Sequence, residues 1–177
     1  MARSSPNIII TGTPGVGKST HCEQLAEATG LKHMSINQIV KDRNCAEGFD
    51  DELKSWIVDE DKLLDAIEDE VKDGGYIIDW HACDIFPESW IDLVVVLRCD
   101  TAVLYDRLSG RKYSPKKLEE NMDAEIMQVL LDEAREGFAE EIVVELQSNT
   151  IEDVDTNVER IKTWVENWTR DTAPATS

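Results

Sequence analysis

The chain has 177 residues, of which 41% are hydrophobic, and a formal net charge of −19. This length suffices for one compact domain with a hydrophobic core. An acidic chain repels nucleic-acid phosphates, so we expect no direct sequence-specific nucleic-acid binding; the charge suits a basic partner or serves solubility alone. No apolar run is long enough to cross a membrane, and no apolar signal segment precedes the first strand. The four cysteines are widely separated, which predicts reduced thiols rather than disulfides or a zinc site.

The first predicted element is a strand at Asn7–Thr11, and a glycine-rich loop follows it. Residues 12–19 match the pattern G-x-x-x-x-G-K-[ST] of the phosphate-binding P-loop. The glycines let backbone N–H groups approach phosphate oxygens, and the next helix, beginning near Lys18, directs its free N–H groups at the same place. The motif predicts that Lys18 contacts the β- and γ-phosphates, that Ser19 ligates Mg²⁺ and that Thr20 reaches the α-phosphate.

A second strand is predicted at Leu31–Met34, and an irregular stretch of residues 35–58 follows it. This stretch contains Gly48 and an acidic run, and it lies before a predicted helix at Asp59–Lys72. An insertion that binds a phosphoryl acceptor fits at this place in the chain. A surface loop without a ligand fits equally well.

The third predicted strand, Tyr76–Trp80, carries a polar pair at its end. An aspartate at this position in P-loop proteins holds the Mg²⁺ shell, although Asp79 could instead cap a turn or helix. If the strand stays extended, Asp79 and His81 share one face, and His81 lies near the γ-phosphate. There it could orient a water or an acceptor, or act as a base near neutral pH. A single histidine is more often structural, so both interpretations stay open from the residues alone.

The rest of the chain continues the alternation of strands and helices. The remaining predicted elements are strands at Leu93–Arg98 and Ile142–Leu146, and helices at Ala102–Leu108, Lys116–Glu136 and Glu152–Trp168. The strands are short and rich in Val and Ile, as in a sheet that is buried on both faces. This alternation predicts an α/β fold of the P-loop NTPase type, with a five-stranded parallel sheet, helices on both faces and ligands at the carboxyl ends of the strands.

Two arginines follow the fourth strand. Arg107 and Arg111 are spaced i, i+4 on one predicted helix face, and a short basic loop comes next. Such a pair on a short segment suits a lid that closes over phosphates and neutralises the charge of phosphoryl transfer. The alternative is an exposed helix end whose cations stabilise the helix dipole.

These segments together resemble the adenylate kinase isoenzyme 6 family over nearly the whole chain. The similar segments are NIIITGTPGVGKST (7–20), VDEDKLLD (58–65), IIDWHACDIFPE (77–88), LVVVLRCD (93–100), LYDRL (104–108), ENMDAEI (120–126) and EEIVVELQSNT (140–150). Asp79-Trp80-His81 resembles the D-x-H signature of that family. The resemblance implies an adenylate kinase-like fold in which residues 1–177 form one nucleoside monophosphate kinase domain, with an AMP-binding segment near 35–58 and a lid near 110–117.

The resemblance also implies the activity and the site. ATP and AMP are converted to two ADP, and ATP is also hydrolysed, with Mg²⁺ as cofactor. The implied nucleotide-binding residues are Gly15, Gly17, Lys18, Ser19, Thr20 and Arg111, the implied catalytic residues are Lys18, Asp79, His81 and Arg111, and the implied Mg²⁺ residues are Ser19 and, through water, Asp79. The implied partner is a basic small-subunit ribosomal protein on the pre-40S particle, during rRNA processing in the nucleus and cytoplasm.

Two departures from the family pattern bear on this activity. The lid has Arg111-Lys112-Tyr113 where Arg-Gly-Tyr is usual, so its hinging is expected to differ. The AMP segment has a single arginine, Arg43, together with Lys41 and Lys54, which is weak for a phosphate clamp. The alternative function is therefore an ATP-driven assembly chaperone for a basic ribosomal protein, with little kinase activity. A small-metabolite kinase of similar fold is less consistent with a full-length resemblance.

Overall fold

The structure is a computed structural model that describes residues 3–53 and 55–173. Its strands are β1 (Ile8–Thr11), β2 (Lys32–Ser35), β3 (Ala46–Asp50), β4 (Ser55–Val58), β5 (Tyr76–Asp79), β6 (Leu93–Arg98) and β7 (Val143–Gln147). Its α-helices are α1 (Lys18–Thr29), α2 (Ile36–Asp42), α3 (Glu60–Asp73), α4 (Thr101–Ser109), α5 (Pro115–Ile126), α6 (Val129–Gly137) and α7 (Ile151–Thr172). None of the helices in these residues combines the length and apolar character needed to span a bilayer.

The main sheet is parallel and has the strand order β2-β5-β1-β6-β7. Apolar residues run without interruption along β1 and β6, which suits a sheet covered on both faces. Ile9 packs into a core with α2, α3 and α6 on one face, while Ile8 and Ile10 pack with α1, α4 and α7 on the other. The predicted α/β class and five-stranded parallel sheet are confirmed, and the register places Ile10 of β1 beside Asp79 of β5.

The last helix forms as its sequence pattern predicts. The side chain of Thr150 accepts a hydrogen bond from the Asp153 backbone N–H at 3.1 Å, and the Asp153 carboxylate accepts one from the Thr150 backbone N–H, which completes a capping box. The buried stripe consists of Val154, Asn157, Val158, Ile161 and Val165. Asn157 is the one polar member of this stripe, and it takes part in the site described below.

The prediction of one helix over Lys116–Glu136 is wrong, because the helix is interrupted between Ile126, where α5 ends, and Val129, where α6 begins. Arg98, at the end of β6, donates to the side chain of the buried Glu125 and to its backbone oxygen, the latter at 2.9 Å. That oxygen would otherwise accept from the N–H of Val129 if the helix continued. Instead the chain turns through Gln128, whose φ of 58° is left-handed, and a new helix begins at Val129.

Residues 35–58 are not irregular as predicted. Ser35 caps α2 by accepting from the Gln38 N–H. After α2, strands β3 and β4 form an antiparallel hairpin. Phe49 and Trp56 pair across this hairpin with ring centroids 5.1 Å apart, and both side chains stay exposed. An aromatic contact between the two strands stabilises so short a hairpin. Strand propensities read along the sequence do not detect such a contact.

Candidate active site

A cleft of about 540 Å³ opens at the carboxyl ends of β1, β5 and β2. Its walls come from the loop after β1, the start of α2, the β3–β4 hairpin, the segment after α4 and helix α5. All the predicted site residues line it, namely Gly15, Gly17, Lys18, Ser19, Thr20, Asp79, His81 and Arg111. Lys116 of α5 makes an exposed ion pair with Glu52 of the hairpin turn, which links these two walls.

The loop of residues 12–17 takes a shape that requires its glycines. Gly12 has a φ of 151°, and a Cβ there would lie 2.9 Å from the Leu97 backbone oxygen. Gly15 has a φ of 98°, and its Cβ would lie 2.8 Å from the Leu108 side chain. Helix α4 therefore packs directly against the loop, and no other residue type fits at either position.

Three consecutive carbonyl groups of this loop are held by side chains from elsewhere in the fold. The oxygens of Gly15, Val16 and Gly17 accept hydrogen bonds from Arg107, Ser148 and His21, respectively. In a trans peptide, the C=O of one residue points opposite to the N–H of the next. The N–H groups of Gly17 and Lys18 therefore point away from these side chains, as an anion-binding loop requires, whereas the Val16 N–H donates to the Thr13 oxygen at 3.1 Å.

Arg107 does not form part of a lid, so its predicted pairing with Arg111 over the phosphates is wrong. Its half-buried guanidinium donates to the backbone oxygens of Gly15 (3.2 Å), Ser148 (2.9 Å) and Asn149 (3.0 Å). Helix α4 ends at Ser109, so Arg111 lies beyond the helix and leaves the Arg107 face. Arg111 is exposed in the cleft and contacts the Tyr113 hydroxyl at 3.2 Å.

His21 and Asn157 are functional candidates that sequence reasoning missed. His21 is fully buried, and its Nδ1 lies 2.8 Å from the Gly17 oxygen. The amide of Asn157 donates to His21 Nε2 at 3.2 Å and to the Gln147 oxygen at 2.7 Å. These contacts assign the neutral Nδ1–H tautomer, and burial lowers the His21 pKa. No local pattern links residues 136 positions apart.

Lys18 points into the loop and donates to the Gly12 oxygen at 2.7 Å. Desolvation lowers its pKa from 10.5 to about 8, against the opposing effect of Asp79, and the Arg111 charge lowers it further. The ammonium is thus held where its positive charge is costly, and phosphate oxygens would relieve that cost.

Asp79 receives two hydrogen bonds on one carboxylate oxygen. Ser19 Oγ lies 3.1 Å and His33 Nε2 2.9 Å from Asp79 Oδ2. Within residues 3–53 and 55–173, no backbone N–H donates to this carboxylate, so the capping alternative has no support. A buried carboxylate beside a hydroxyl offers the hard oxygen ligands that Mg²⁺ prefers, and these residues fit that ion. His33 was not predicted as a site residue.

His81 follows β5 and is accessible at the cleft wall, while its ring contacts Trp80 with centroids 5.0 Å apart. The crowding of surrounding protein atoms, followed by the Lys18 charge, lowers its pKa to about 4. The imidazole is therefore neutral at pH 7, so it can accept a proton or orient a water, but it is a weaker base than a solvated histidine.

The lowered pKa of Lys18 predicts that ADP binding takes up a proton above about pH 8. Bound phosphates favour the ammonium form and raise its pKa, so affinity weakens by up to about tenfold per pH unit between the free and bound pKa values. Calorimetry with Mg²⁺-free ADP near pH 9, in two buffers of different ionisation enthalpy, measures the uptake.

Lys18→Arg is the matched control, because a guanidinium stays protonated throughout this range and should bind ADP without proton uptake. Affinity for ADP that is independent of pH from about 7.5 to 9.5 would contradict the prediction.

The glycine-rich loop and the parallel sheet define a P-loop nucleotide-binding protein with a kinase fold. A family described as "AAA domain" matches residues 8–128. A shikimate kinase from Bacteroides thetaiotaomicron has a TM-score of 0.61 at 16% identity and covers 91% of this chain and 98% of its own. A gluconokinase from Sinorhizobium meliloti has a TM-score of 0.55 at 18% identity, covering 97% and 100%. These two likenesses concern the fold alone.

The proteins that are similar in sequence identify the family, which the structural neighbours do not. The adenylate kinase isoenzyme 6 homolog of Schizosaccharomyces pombe is 53% identical over 166 residues, which are 94% of this chain and 95% of that protein. The homolog FAP7 of Saccharomyces cerevisiae is 53% identical over 167 residues, covering 94% and 85%. The Caenorhabditis elegans homolog is 49% identical over 161 residues, covering 90% and 88%. The chain therefore belongs to the adenylate kinase isoenzyme 6 family and has a nucleotide kinase-like function.

Proposed function

We propose that the protein is a nucleoside monophosphate kinase that converts ATP and AMP to two ADP, with Mg²⁺ as cofactor, and that it also hydrolyses ATP. The observation that carries this proposal is the single cleft that gathers Lys18, Asp79, His81 and Arg111 around the phosphate-binding loop. The names of the family's members support the kinase activity.

Each residue has a role that follows from its position. In the loop shaped by Gly15 and Gly17, the N–H groups of Gly17 and Lys18 bind phosphate oxygens, and Thr20 lies beside them in the first turn of α1. Lys18 and Arg111 stabilise the charge of the transferred phosphoryl group. Ser19 and Asp79 would hold Mg²⁺, the latter through water. When bound, that ion neutralises charge on the phosphates. The neutral imidazole of His81 orients the attacking water or acceptor.

The acceptor would occupy the opposite wall of the cleft, in the proposed AMP segment of residues 35–58. Ser35, Asn37, Ser55 and Trp56 line that wall. Their hydroxyls, amide and indole can bind a nucleoside through hydrogen bonds and stacking. The proposed lid, residues 110–117, closes the other wall with Arg111 and Tyr113.

The position of Arg43 favours a second candidate function. Its guanidinium is bound to the Glu70 carboxylate and the Ala66 oxygen, each at 2.6 Å, on α3. Lys41 is exposed and does not line the cleft. Lys41 and Arg43 are thus not free in the cleft to clamp an AMP phosphate, which makes water a stronger competitor as acceptor. Lys54, the third basic residue of the segment, lies outside the described residues.

The second proposal is therefore an ATP-driven assembly chaperone for a basic ribosomal protein. It would act during pre-40S maturation and rRNA processing, in the nucleus and cytoplasm. The net charge of −19 suits a basic partner. Both functions use the same phosphate-binding loop, so one protein can perform them both.

One comparison tests both functions. ATP consumption and ADP formation are measured with and without AMP, and with and without a purified basic small-subunit ribosomal protein. If AMP gives no ADP above basal hydrolysis, the kinase proposal fails. If the ribosomal protein neither binds nor changes turnover, the chaperone proposal fails.

His81→Ala is expected to lower ATP hydrolysis by about tenfold or more, because the attacking water loses the group that orients it. Transfer to AMP should fall less, since the acceptor is also positioned by the opposite wall. His81→Gln is the matched control that keeps a neutral hydrogen-bonding group and should retain part of the hydrolysis. Equal losses of hydrolysis and transfer in His81→Ala would contradict a role specific to water.

A further inference from the structure

Three potential metal ligands from separate elements meet beneath the phosphate-binding loop. Cys22 Sγ of α1, a ring nitrogen of His33 of β2 and a carboxylate oxygen of Asp79 of β5 all lie within 4.8 Å of one another. His33 pairs with Ile77 in the sheet, and Ile77 belongs to the core on the α1 face. Since alternate residues of a strand share a face, His33, Ile77 and Asp79 all face α1, where Cys22 lies.

The spacing of the three groups can be compared with that of the ligands in a tetrahedral site. Zinc bonds of about 2.0–2.3 Å place neighbouring ligand atoms roughly 3.3–3.8 Å apart. The observed upper limit of 4.8 Å therefore requires a modest contraction, while the 2.9 Å contact between His33 and Asp79 must open slightly. Cys22 is fully buried and Asp79 is 6% exposed, so their movement is restrained by packing.

We propose that Cys22, His33 and Asp79 bind a zinc-class divalent ion, and that the bound ion inhibits phosphoryl transfer. Sulfur and imidazole ligands select Zn²⁺ or Co²⁺ over Mg²⁺, which prefers oxygen. The spacing of the cysteines predicted no zinc site because such patterns detect only ligands that are close in sequence. Here the sheet brings together residues 22, 33 and 79.

Binding balances as an exchange of one proton for one ion. Burial raises the pKa of Cys22, which is therefore a thiol before binding. The ion replaces the thiol proton, which leaves to solvent, and no oxidant or reductant is needed. Before binding, His33 donates its Nε2–H to Asp79. On binding, that proton passes to Nδ1 through solvent and Nε2 gives its lone pair to the ion, so the hydrogen bond to Asp79 is exchanged for a metal bond and no second proton is released.

Inhibition follows from the shared carboxylate. The oxygen of Asp79 that faces His33 is also the one that accepts from Ser19. A zinc-class ion at this oxygen withdraws Asp79 from the proposed Mg²⁺ position. Metal binding itself is independent of the enzymatic role, whereas inhibition rests on the proposed function.

Cobalt absorption tests the binding directly, without nucleotide. The full chain, freed of metal by a chelator that is then removed, is titrated with Co²⁺. We expect one ion per chain, a thiolate-to-cobalt charge-transfer band and intense tetrahedral bands that Zn²⁺ removes and Mg²⁺ does not. Cys22→Ala, which keeps the buried position apolar, should lose the charge-transfer band. Cys45→Ser, which changes another buried cysteine, should retain it.

His33→Asn should weaken binding by about 10–100-fold or more, since loss of even an indirect ligand contact has that effect. Circular dichroism and urea unfolding of each variant confirm that the fold is kept. A charge-transfer band that survives Cys22→Ala, or that disappears in Cys45→Ser, overturns the site. The absence of any such band in the wild type overturns it as well.

Measurements of ATP consumption distinguish metal binding at Cys22, His33 and Asp79 from the inhibition that the bound metal is proposed to cause. Zn²⁺ should inhibit ATP consumption of the wild type even with Mg²⁺ in excess, and Cys22→Ala should resist the inhibition at least tenfold while keeping its basal rate. Equal inhibition of both proteins overturns the regulatory part of the proposal. A chain that binds Co²⁺ through Cys22 but never consumes ATP retains the metal site and refutes the proposed enzyme.

Discussion

Lys18→Ala is expected to lower ATP turnover by about 10³-fold, both with AMP and without it. Lys18 is the one cation of the phosphate-binding motif, and its Nζ is held 2.7 Å from the Gly12 oxygen. Kinase and hydrolase reactions both develop charge on the same phosphoryl group, so removal of the ammonium affects them alike. Steady-state ADP formation under saturating Mg-ATP, with and without AMP, measures the effect.

The expected loss of turnover in Lys18→Ala should not result from destabilisation of the fold. The lowered pKa of Lys18 indicates that its charge is disfavoured in the folded chain, so its removal should leave the free energy of unfolding unchanged or raise it slightly. Urea unfolding of Lys18→Ala checks this. Lys62→Ala, at an exposed position of α3 that does not line the cleft, is the matched control and should keep full turnover. Hydrolysis retained by Lys18→Ala would mean that the loop has been assigned wrongly.

The main sheet was predictable because its strands are encoded locally. Each of its strands begins and ends within one residue of the prediction. The three central strands, β5, β1 and β6, are built on continuous apolar runs, as a sheet buried on both faces requires. The capping box of Thr150 and Asp153 is likewise local. The β3–β4 hairpin was missed because its stability depends on Phe49 and Trp56 meeting across two strands, a contact that no single segment contains.

The same distinction applies to the candidate site. Residues that contact the nucleotide in P-loop proteins lie in short motifs, and all the predicted ones line the cleft. The residues that shape the loop, such as Ser148 and Asn157, follow β7 or lie on α7. They act through hydrogen bonds to the backbone. Because every residue has a backbone carbonyl, the residue types do not show which carbonyl a side chain will bind. Arg107 was assigned to the lid because helical spacing places it beside Arg111, but the helix ends between them.

Arg107→Met should therefore mainly lower the free energy of unfolding, whereas Arg111→Met should mainly lower ATP turnover. Arg107→Met is expected to lower the free energy of unfolding by about 2–4 kcal/mol, because the Gly15, Ser148 and Asn149 oxygens lose a charged donor. Arg111 is exposed and contacts a tyrosine hydroxyl, so Arg111→Met should change stability by less than about 0.5 kcal/mol. Its effect should fall on ATP turnover, by about 10²-fold or more, because it removes charge beside the transferred group.

Urea unfolding and ATP turnover, measured on both variants, separate a residue that builds the loop from one that acts on the substrate. Nucleotide binding should also weaken in Arg107→Met, since the Gly15 carbonyl is no longer held and the phosphate-binding loop loses its fixed shape. Raising the ADP concentration should then restore part of the stability of Arg107→Met, because ADP binds only the ordered loop. If Arg107→Met unfolds like the wild type and Arg111→Met is the less stable protein, Arg107 belongs to the lid after all. The orientation of the loop would then have to come from Ser148 and His21 alone.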